Sequence, residues 1–426
     1  MATCAIIGGG PAGMVLGLLL ARAGVDVTLL EKHGDFLRDF RGDTVHCSTM
    51  RLLDELGLWE RFSGLPFTEV RKAAFESNGR AVTYIDFERL RHQPHPFIAM
   101  VPQWDLLNLL AAAAGAEPTF TLRMNTEVTG LVRDGERVRG VRYRSADGPG
   151  ELRADLTVAC DGRWSVARQA AGLRAHDYPV KFDVWWFRLP RHDDTEFSFL
   201  PRSAPGKALG VIPREGYYQI AYIGAKGSDA QLRARGIEAF RREVAALVPE
   251  AADSVGALAS MDEVKHLDVR VNRLRRWHCD GLLCIGDAAH AMSPLGGVGI
   301  NLAVQDAVAA ARILARPLLE HRLSGRDLAA VRRRRVFPTA VTQFVQRILH
   351  RGAARSAVAR PGPGPAGHAL PSDRPVAVAF SGAGLLHRGW GATRACPGFR
   401  PPSLNPPRIA IPGAARPPEA RSQPLY

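Results

Sequence analysis

Three clusters of glycine and aspartate carry the chemistry that can be read in this sequence. The first is Gly8-Gly9-Gly10-Pro11-Ala12-Gly13, a G-x-G-x-x-G run between a short apolar segment and a helical one. Gly8 permits a tight turn, Gly10 lets backbone approach a pyrophosphate, and Gly13 lets helix and strand pack closely. The helix start then offers free N–H groups and a positive dipole to an anion. Glu31 closes the next apolar strand, 23 residues after Gly8. Its carboxylate can accept both ribose hydroxyls and would repel a 2′-phosphate. This cluster reads as a dinucleotide site and does not by itself choose between FAD and NAD.

The second cluster is LTVACDGRWSVAR, Leu156 to Arg168, and the third is GLLCIGDAAHAMSPLGGVGINLAVQDA, Gly281 to Ala307. Each ends a buried strand at an aspartate beside a glycine, Asp161 and Asp287. A carboxylate at a strand end can accept cofactor hydroxyls. The loop PLGGVGIN, Pro294 to Asn301, is glycine-rich and enters a helix, so its N–H groups can face developing negative charge. His290 reads as a structural, hydrogen-bonding histidine rather than a general base. His46 is a candidate for lining a substrate pocket, whereas Trp185 and Trp186 read as core packing. No Ser-His-Asp order and no H-E-x-x-H run is present, so hydrolase chemistry has no support and no metal site is expected.

These residues need elements to bring them together. Residues 4–8 read as a buried strand, Met14 to Ala23 as a helix and Asp26 to Glu31 as a second strand, a β-α-β unit. Arg51 to Phe62 has helical spacing, and another helix begins at Pro102. Glu127 to Arg144 alternates and turns at Asp134-Gly135, a hairpin signal. Leu156 to Cys160 and Gly281 to Ile285 are short apolar strands, and Asn301 to Leu314 has the composition of a long helix. Between Gly172 and Trp277 the segments FDVWWFRL and YYQIAYIG read as strands of an antiparallel sheet, with an amphipathic helix at Gly236 to Val248. Asp327 to His350 is helical, with a break expected near Pro338. The expected organisation is a dinucleotide-binding domain from 1–171 and 278–351, the latter with C-terminal helices. A substrate domain spans 172–277 with part of 64–100, and a tail runs from 352–426.

With 426 residues, 46% hydrophobic and 23% charged, the chain is long enough for two or three domain-sized units. The tail holds 14 of the 30 prolines and 10 of the 42 glycines, so it is expected to be disordered and dispensable for cofactor binding. The net charge of +14 invites a nucleic-acid reading, but the tail carries 9 Arg against 2 acids, half of that excess. Arg332 to Arg335 reads as a solvated helix face, and no nucleic-acid partner is expected. Six scattered cysteines without a C-x-x-C pair fit a reducing compartment. The apolar stretch Met14 to Ala21 is too short for a membrane span and lacks the basic flank of a signal peptide, so a cytoplasmic protein is expected.

Taken in order and at these spacings, the three clusters resemble the fingerprints of the class A flavoprotein monooxygenases, the para-hydroxybenzoate hydroxylase-like family, over about residues 3–350. The resemblance implies an α/β fold: a Rossmann-like FAD-binding domain (GR2-type) with an inserted antiparallel-sheet substrate domain. It implies FAD as cofactor and NADH or NADPH as co-substrate, with no separate Rossmann domain for the nicotinamide. The matching cofactor positions are Gly8, Gly10, Pro11, Ala12, Gly13, Glu31, Arg41, Gln103, Asp161, Asp287, Gly297, Gly299, Ile300 and Asn301. Arg41 and Asp161 match positions near the FAD pyrophosphate, and Gln103 matches a helix-start glutamine that touches FAD. No side chain is expected to act as a protein catalyst, since the chemistry is flavin-centred; Pro294 would lie near the reacting edge of the flavin. The implied reaction is hydroxylation of an aromatic or polyketide-like small molecule by O2 through a flavin C4a-hydroperoxide. Two other readings share the fingerprints: a flavin-dependent reductase of a carbon–carbon double bond, resembling geranylgeranyl reductases, and a non-catalytic FAD-binding protein. A flavin-dependent halogenase shares the fold, but its W-x-W-x-I-P signature is missing.

Overall fold

The computed structural model describes residues 1–37, 44–77, 80–90, 93–191, 200–204, 207–214 and 216–358. At its centre is a six-stranded sheet built from β1 (Thr3–Ile7), β2 (Asp26–Leu30), β3 (Phe120–Arg123), β4 (Leu156–Ala159), β5 (His278–Cys279) and β6 (Leu282–Cys284). The order is β5-β6-β4-β1-β2-β3, parallel throughout except for β5 at one edge. A parallel sheet is covered on both faces, which is why β4 and β6 are buried at every position instead of alternating.

Helix α1 (Pro11–Arg22) links β1 to β2 and buries Met14, Leu16, Leu18 and Leu20 against the sheet. It starts at Pro11, whose fixed φ suits a first helical turn. The helical spacing at Arg51 to Phe62 resolves into two helices, α2 (Cys47–Glu55) and a short one at Trp59–Ser63, because Gly57 between them has φ +71°. Helix α3 (Gln103–Gly115) precedes β3.

Register makes the site. Ile7 lies opposite Ala159 and Leu30, and Ala159 lies opposite Cys284. The residues that follow each strand therefore leave the sheet in one row: Gly8 after β1, Glu31 after β2, Cys160-Asp161 after β4 and Ile285-Gly286-Asp287 after β6. Neighbouring parallel strands lie about 4.8 Å apart, so motifs separated by more than 270 residues emerge side by side at the carboxyl edge.

A second, antiparallel sheet has the order Leu200–Ala204, Lys207–Pro213, Tyr217–Ala225, Phe182–Pro190, Lys265–Leu267. Alternation along Phe182–Pro190 sends its tryptophans to opposite faces. Trp185 is fully buried with Tyr222, Phe240 and Val244, and its Nε1 donates to Asp229 at 2.7 Å. Trp186 packs instead with Phe87, Ile98, Met100 and Ile212. Strands within 64–100 belong to two small sheets, Lys72–Ser77 with Arg80–Asp86, and Ile98–Met100 between Thr68–Val70 and Thr44–Val45. The hairpin expected at Asp134-Gly135 joins Glu127–Asp134 to Arg137–Ser145.

Two more helices bear on the site: α4 (Val166–Ala170) follows the second cluster and α5 (Gly299–Leu319) the third. The last helix, α6 (Gly325–Val358), runs unbroken through Pro338, which corrects the expected break, and continues past Gly352. An interior proline costs about 3 kcal/mol locally; here it is outweighed by tertiary bonds on both sides, from Arg335 and Gln343. The tail beyond Val358 lies outside the described residues. No helix among the described residues is long and apolar enough to cross a membrane.

Candidate active site

The glycine turn after β1 is built by close contacts. The Gly8 N–H donates to the Leu30 carbonyl at 2.8 Å, and its φ is +97°. A side chain at Gly13 would place Cβ 2.0 Å from the Gly8 carbonyl oxygen, and one at Gly8 would place it 2.7 Å from that of Cys160. Gly10 differs, because nothing lies within 4 Å of where its Cβ would be. Pro11 and Ala12 form the first turn of α1, which has no side-chain cap, so its early N–H groups are left for something else. Ala12 also touches the third cluster: a Cβ on Gly286 would lie 3.3 Å from the Ala12 Cβ.

Glu31 is buried at the end of β2. Its Oε2 accepts from the Gly9 N–H at 2.8 Å and its Oε1 from the His33 N–H at 3.0 Å. The protein thus fixes both oxygens, and a carboxylate with about four acceptor positions can still take further donors. Beyond it, at the carboxyl ends of β2 and β3, a cleft of about 410 Å³ is lined by Gly34, Phe36, Trp104, Asn108, Leu122 and Met124. Gln103 opens α3, one residue before Trp104 of this cleft. Arg41 lies outside the described residues.

Asp161 turns back to its own chain. Its Oδ2 accepts from the Ala167 N–H at 3.2 Å at the start of α4, while its Oδ1 is enclosed with no partner among the described residues. Burial pushes its carboxyl up, opposed by the Ser165 hydroxyl and nearby backbone N–H groups. Two arginines of the same cluster tie it to the third. Arg168 is buried and donates to the Ala288 carbonyl at 3.2 Å and to the Arg163 carbonyl at 2.7 Å. Arg163 pairs with Asp287 at 3.4 Å and donates to the Asp268 carbonyl at 3.2 Å. Sequence reasoning missed both roles. The available signal was an arginine two residues after the aspartate and another at the apolar start of a helix.

The loop after Asp287 turns at Pro294, whose carbonyl accepts from the Gly297 N–H at 3.0 Å. Gly297 has φ +59°, and a Cβ there would meet the Thr44 hydroxyl at 2.4 Å. Helix α5 then starts at Gly299 without a side-chain cap, so the N–H groups of Gly299, Ile300 and Asn301 have no helical partner. Nothing lies within 4 Å of a Cβ on Gly299. The Asn301 side chain is spent inside the protein. It accepts from the His46 N–H and the Thr49 hydroxyl, both at 2.8 Å, and donates to the Thr44 and Gly297 carbonyls at 3.1 and 3.3 Å. It holds the loop rather than reaching outward.

His290 sits in a buried charge network. Its Nε2 lies 2.5 Å from Asp306 Oδ2, and the Asp306 Oδ1 accepts from Arg335 Nε at 2.7 Å. Burial pushes the Asp306 carboxyl up, but the charges and hydrogen bonds of His290 and Arg335 outweigh that and hold it below the usual carboxylate range. Arg335 is 6% exposed, which corrects its reading as part of a solvated face: an acid buried on the facing helix draws it inward. The thiols of Cys4 and Cys160 are pushed up, first by burial and then by Asp155 and Asp161 respectively, so neither is a nucleophile.

Residues 1–345 match the FAD binding domain family. The chain is 38% identical over 334 residues to the 6-methylpretetramide 4-monooxygenase of Streptomyces rimosus, covering 78% of this chain and 79% of that protein. The chain belongs to the FAD-binding family of class A flavoprotein monooxygenases. It is 26% identical over 363 residues to the para-nitrophenol 4-monooxygenase of Pseudomonas sp. (strain WBC-3), covering 80% and 85% of the two chains. Its fold is that of the p-nitrophenol 4-monooxygenase from Pseudomonas putida DLL-E4, with a TM-score of 0.65, 22% identity, and 83% and 93% of the chains covered.

The residues present fit the family's FAD. Gly10 and Gly299 face open space where backbone must be approached, two uncapped helix starts offer N–H groups to an anion, and the Asp161 carboxyl keeps an enclosed oxygen without a partner.

Two histidines in this part of the fold set a pH expectation. Burial pushes His350 down to about 4, and His46 down to about 4 against opposing backbone bonds at Gly297 and Gly296. The folded values lie below the ordinary 6.5, so between those limits the unfolded chain binds protons that the folded chain does not. Stability should therefore be full above about pH 6.5 and fall on acidification, by roughly 2 kcal/mol per histidine at about pH 5. Urea unfolding at both ends of that window, for the parent and for His350→Gln, checks this; an equal loss in both proteins would remove His350 from the account.

Proposed function

We propose that the protein is an FAD-dependent monooxygenase that uses NADH or NADPH and O2 to hydroxylate an aromatic, polyketide-like small molecule. The observation that carries this reading is the single row of motif ends at the carboxyl edge of the central sheet, on a chain 38% identical to a named pretetramide monooxygenase. Residues 1–171 and 278–351 would form the cofactor domain, and 172–277 with part of 64–100 the substrate domain.

When bound, FAD would supply the redox chemistry that couples oxidation of NAD(P)H to insertion of one atom of O2 into the substrate, the other atom leaving as water. The chain's own work is binding, orientation and exclusion of water. The turn formed by Gly8 and Pro11 would bring the N–H groups of Gly10, Ala12 and Gly13 to the pyrophosphate, with Glu31 at the adenosine ribose. Asp287, oriented by Arg163, would take cofactor hydroxyls, and Asp161 and Gln103 would complete the binding surface along with Arg41. The N–H groups of Gly299, Ile300 and Asn301 would stabilise charge on the ring system, with Gly297 shaping the loop before them and Pro294 at its reacting edge. The substrate is expected on the sheet face that carries Trp186, where apolar side chains keep water out. A reaction served by soluble NAD(P)H agrees with a cytoplasmic location.

The test is a screen of NAD(P)H and O2 consumption across phenols and polyketide-like aromatics, with oxygen-18 supplied as O2 and product mass determined. One labelled oxygen in the product is expected. A product that gains two hydrogens and no oxygen would move the assignment to a double-bond reductase. FAD binding with no substrate-dependent NAD(P)H oxidation would mark a non-catalytic protein.

A further inference from the structure

The inward face of α6 is polar. Arg335, Thr339, Gln343, Gln346 and His350 follow helical spacing and are all buried, while Phe337, Val341, Phe344 and Ile348 on the other face are exposed. This reverses the usual amphipathic pattern. Buried polar groups need partners, and the two glutamines make four of their six bonds to one segment of backbone.

That segment is Ala291 to Leu295, the irregular stretch that joins the third motif to the Pro294–Gly297 loop. Gln346 donates from Nε2 to the Ser293 carbonyl at 2.9 Å and the Leu295 carbonyl at 2.8 Å, and accepts from the Ser293 N–H at 3.3 Å. Gln343 donates to the Ala291 carbonyl at 3.2 Å and the Asn272 carbonyl at 2.7 Å, and its Oε1 accepts from Arg273 at 3.0 Å. The carbonyls held are those of 291, 293 and 295, every second residue. Two glutamines three apart on a helix thus do for this segment what a neighbouring strand would do in a sheet. Backbone buried outside regular structure needs such partners, and here the side chains of α6 supply them.

We propose that Gln346 is a positioning residue for the cofactor: through its carboxamide it sets where the Pro294–Gly297 loop, and hence the start of α5, stands in the site. This rests on the reading of that loop as the flavin-facing one. The route is short and continuous. Gln346 holds Ser293 and Leu295, the Ser293 hydroxyl accepts from the Leu295 N–H at 3.2 Å, and the Pro294 carbonyl accepts from the Gly297 N–H. Gln343 anchors the far end of the same segment, away from the glycines.

The test uses the full chain with FAD as the probe. Gln346→Met keeps the length and removes all three bonds. Gln346→Glu keeps the acceptor for the Ser293 N–H and loses both donors. FAD dissociation constants come from fluorescence titration of the apoprotein, and amide hydrogen exchange is followed over 291–301 and over β1 and β4. Both variants should bind FAD roughly tenfold or more weakly, with faster exchange over 295–301 and parental exchange in β1 and β4. Parental affinity and loop exchange in a folded variant would overturn the proposal. So would exchange that rises equally in β1 and β4, or failure of both variants to fold, since each marks a general structural role. If only the methionine variant fails to fold, the glutamate variant supplies both readings. A parent chain that binds no FAD would instead overturn the flavin reading of the site, and the exchange data would still decide whether Gln346 holds the loop.

Discussion

Asp306→Ala is expected to destabilise the folded chain by about 3–5 kcal/mol. Asp306 is 0% exposed and accepts from Arg335 Nε at 2.7 Å and the Gly286 N–H at 3.1 Å, with His290 Nε2 at 2.5 Å. The alanine variant leaves a buried guanidinium without its counter-ion and a buried N–H without its acceptor. Because Gly286 belongs to the Gly-Asp motif, the same change loosens the turn that carries Asp287. Asp306→Asn keeps an acceptor for Gly286 and should lose less. Urea unfolding at neutral pH measures both, with the midpoint falling and the slope unchanged. A loss under about 1 kcal/mol for the alanine variant would mean that the network stabilises little relative to its desolvation.

Gly10→Ala and Gly13→Ala should separate two reasons for glycine in one motif. A Cβ at position 13 lands 2.0 Å from the Gly8 carbonyl oxygen, which is backbone and cannot swing aside. Gly13→Ala is therefore expected to cost about 1–3 kcal/mol of stability and to abolish FAD binding by displacing the turn. A Cβ at position 10 meets nothing within 4 Å. Gly10→Ala should leave the apoprotein within about 0.5 kcal/mol of the parent and still weaken FAD binding roughly tenfold or more, since the added methyl fills space the pyrophosphate would use. Unfolding of the apoproteins and fluorescence titration with FAD give the four values. Parental FAD affinity in Gly10→Ala would remove the pyrophosphate from that turn.

The glycine and aspartate motifs were legible because each is local. Gly8, Gly10 and Gly13 belong to one strand-turn-helix, and their spacing follows from the geometry of a tight turn entering a helix. The acid-ended strands at Asp161 and Asp287 were legible for the same reason: a short apolar run that stops at an aspartate beside a glycine is a strand end by composition alone. The short apolar runs of β1, β4 and β6 read as buried strands, and the β-branched and aromatic composition of FDVWWFRL and YYQIAYIG as strands of the second sheet.

Residues whose partners are remote in sequence were not legible in this way. Arg335 looked like one of four surface arginines, and only the facing α5, which buries Asp306, turns it inward. Pro338 looked like a break, and bonds to residues 29 and 71 positions away flank it in a continuous α6. Asn301 sits where a cofactor contact was expected, yet its carboxamide is consumed by Thr44, His46, Thr49 and Gly297. The sequence by itself determined the strand-turn-helix units, because each depends on residues a few positions apart, and the three motifs taken together carried the resemblance that implied the cofactor and the family. Only the tertiary structure decided the register that aligns Ile7, Leu30, Ala159 and Cys284, and which polar side chains turn inward to hold the loops. Both depend on pairing free energies between distant segments, which no local pattern encodes.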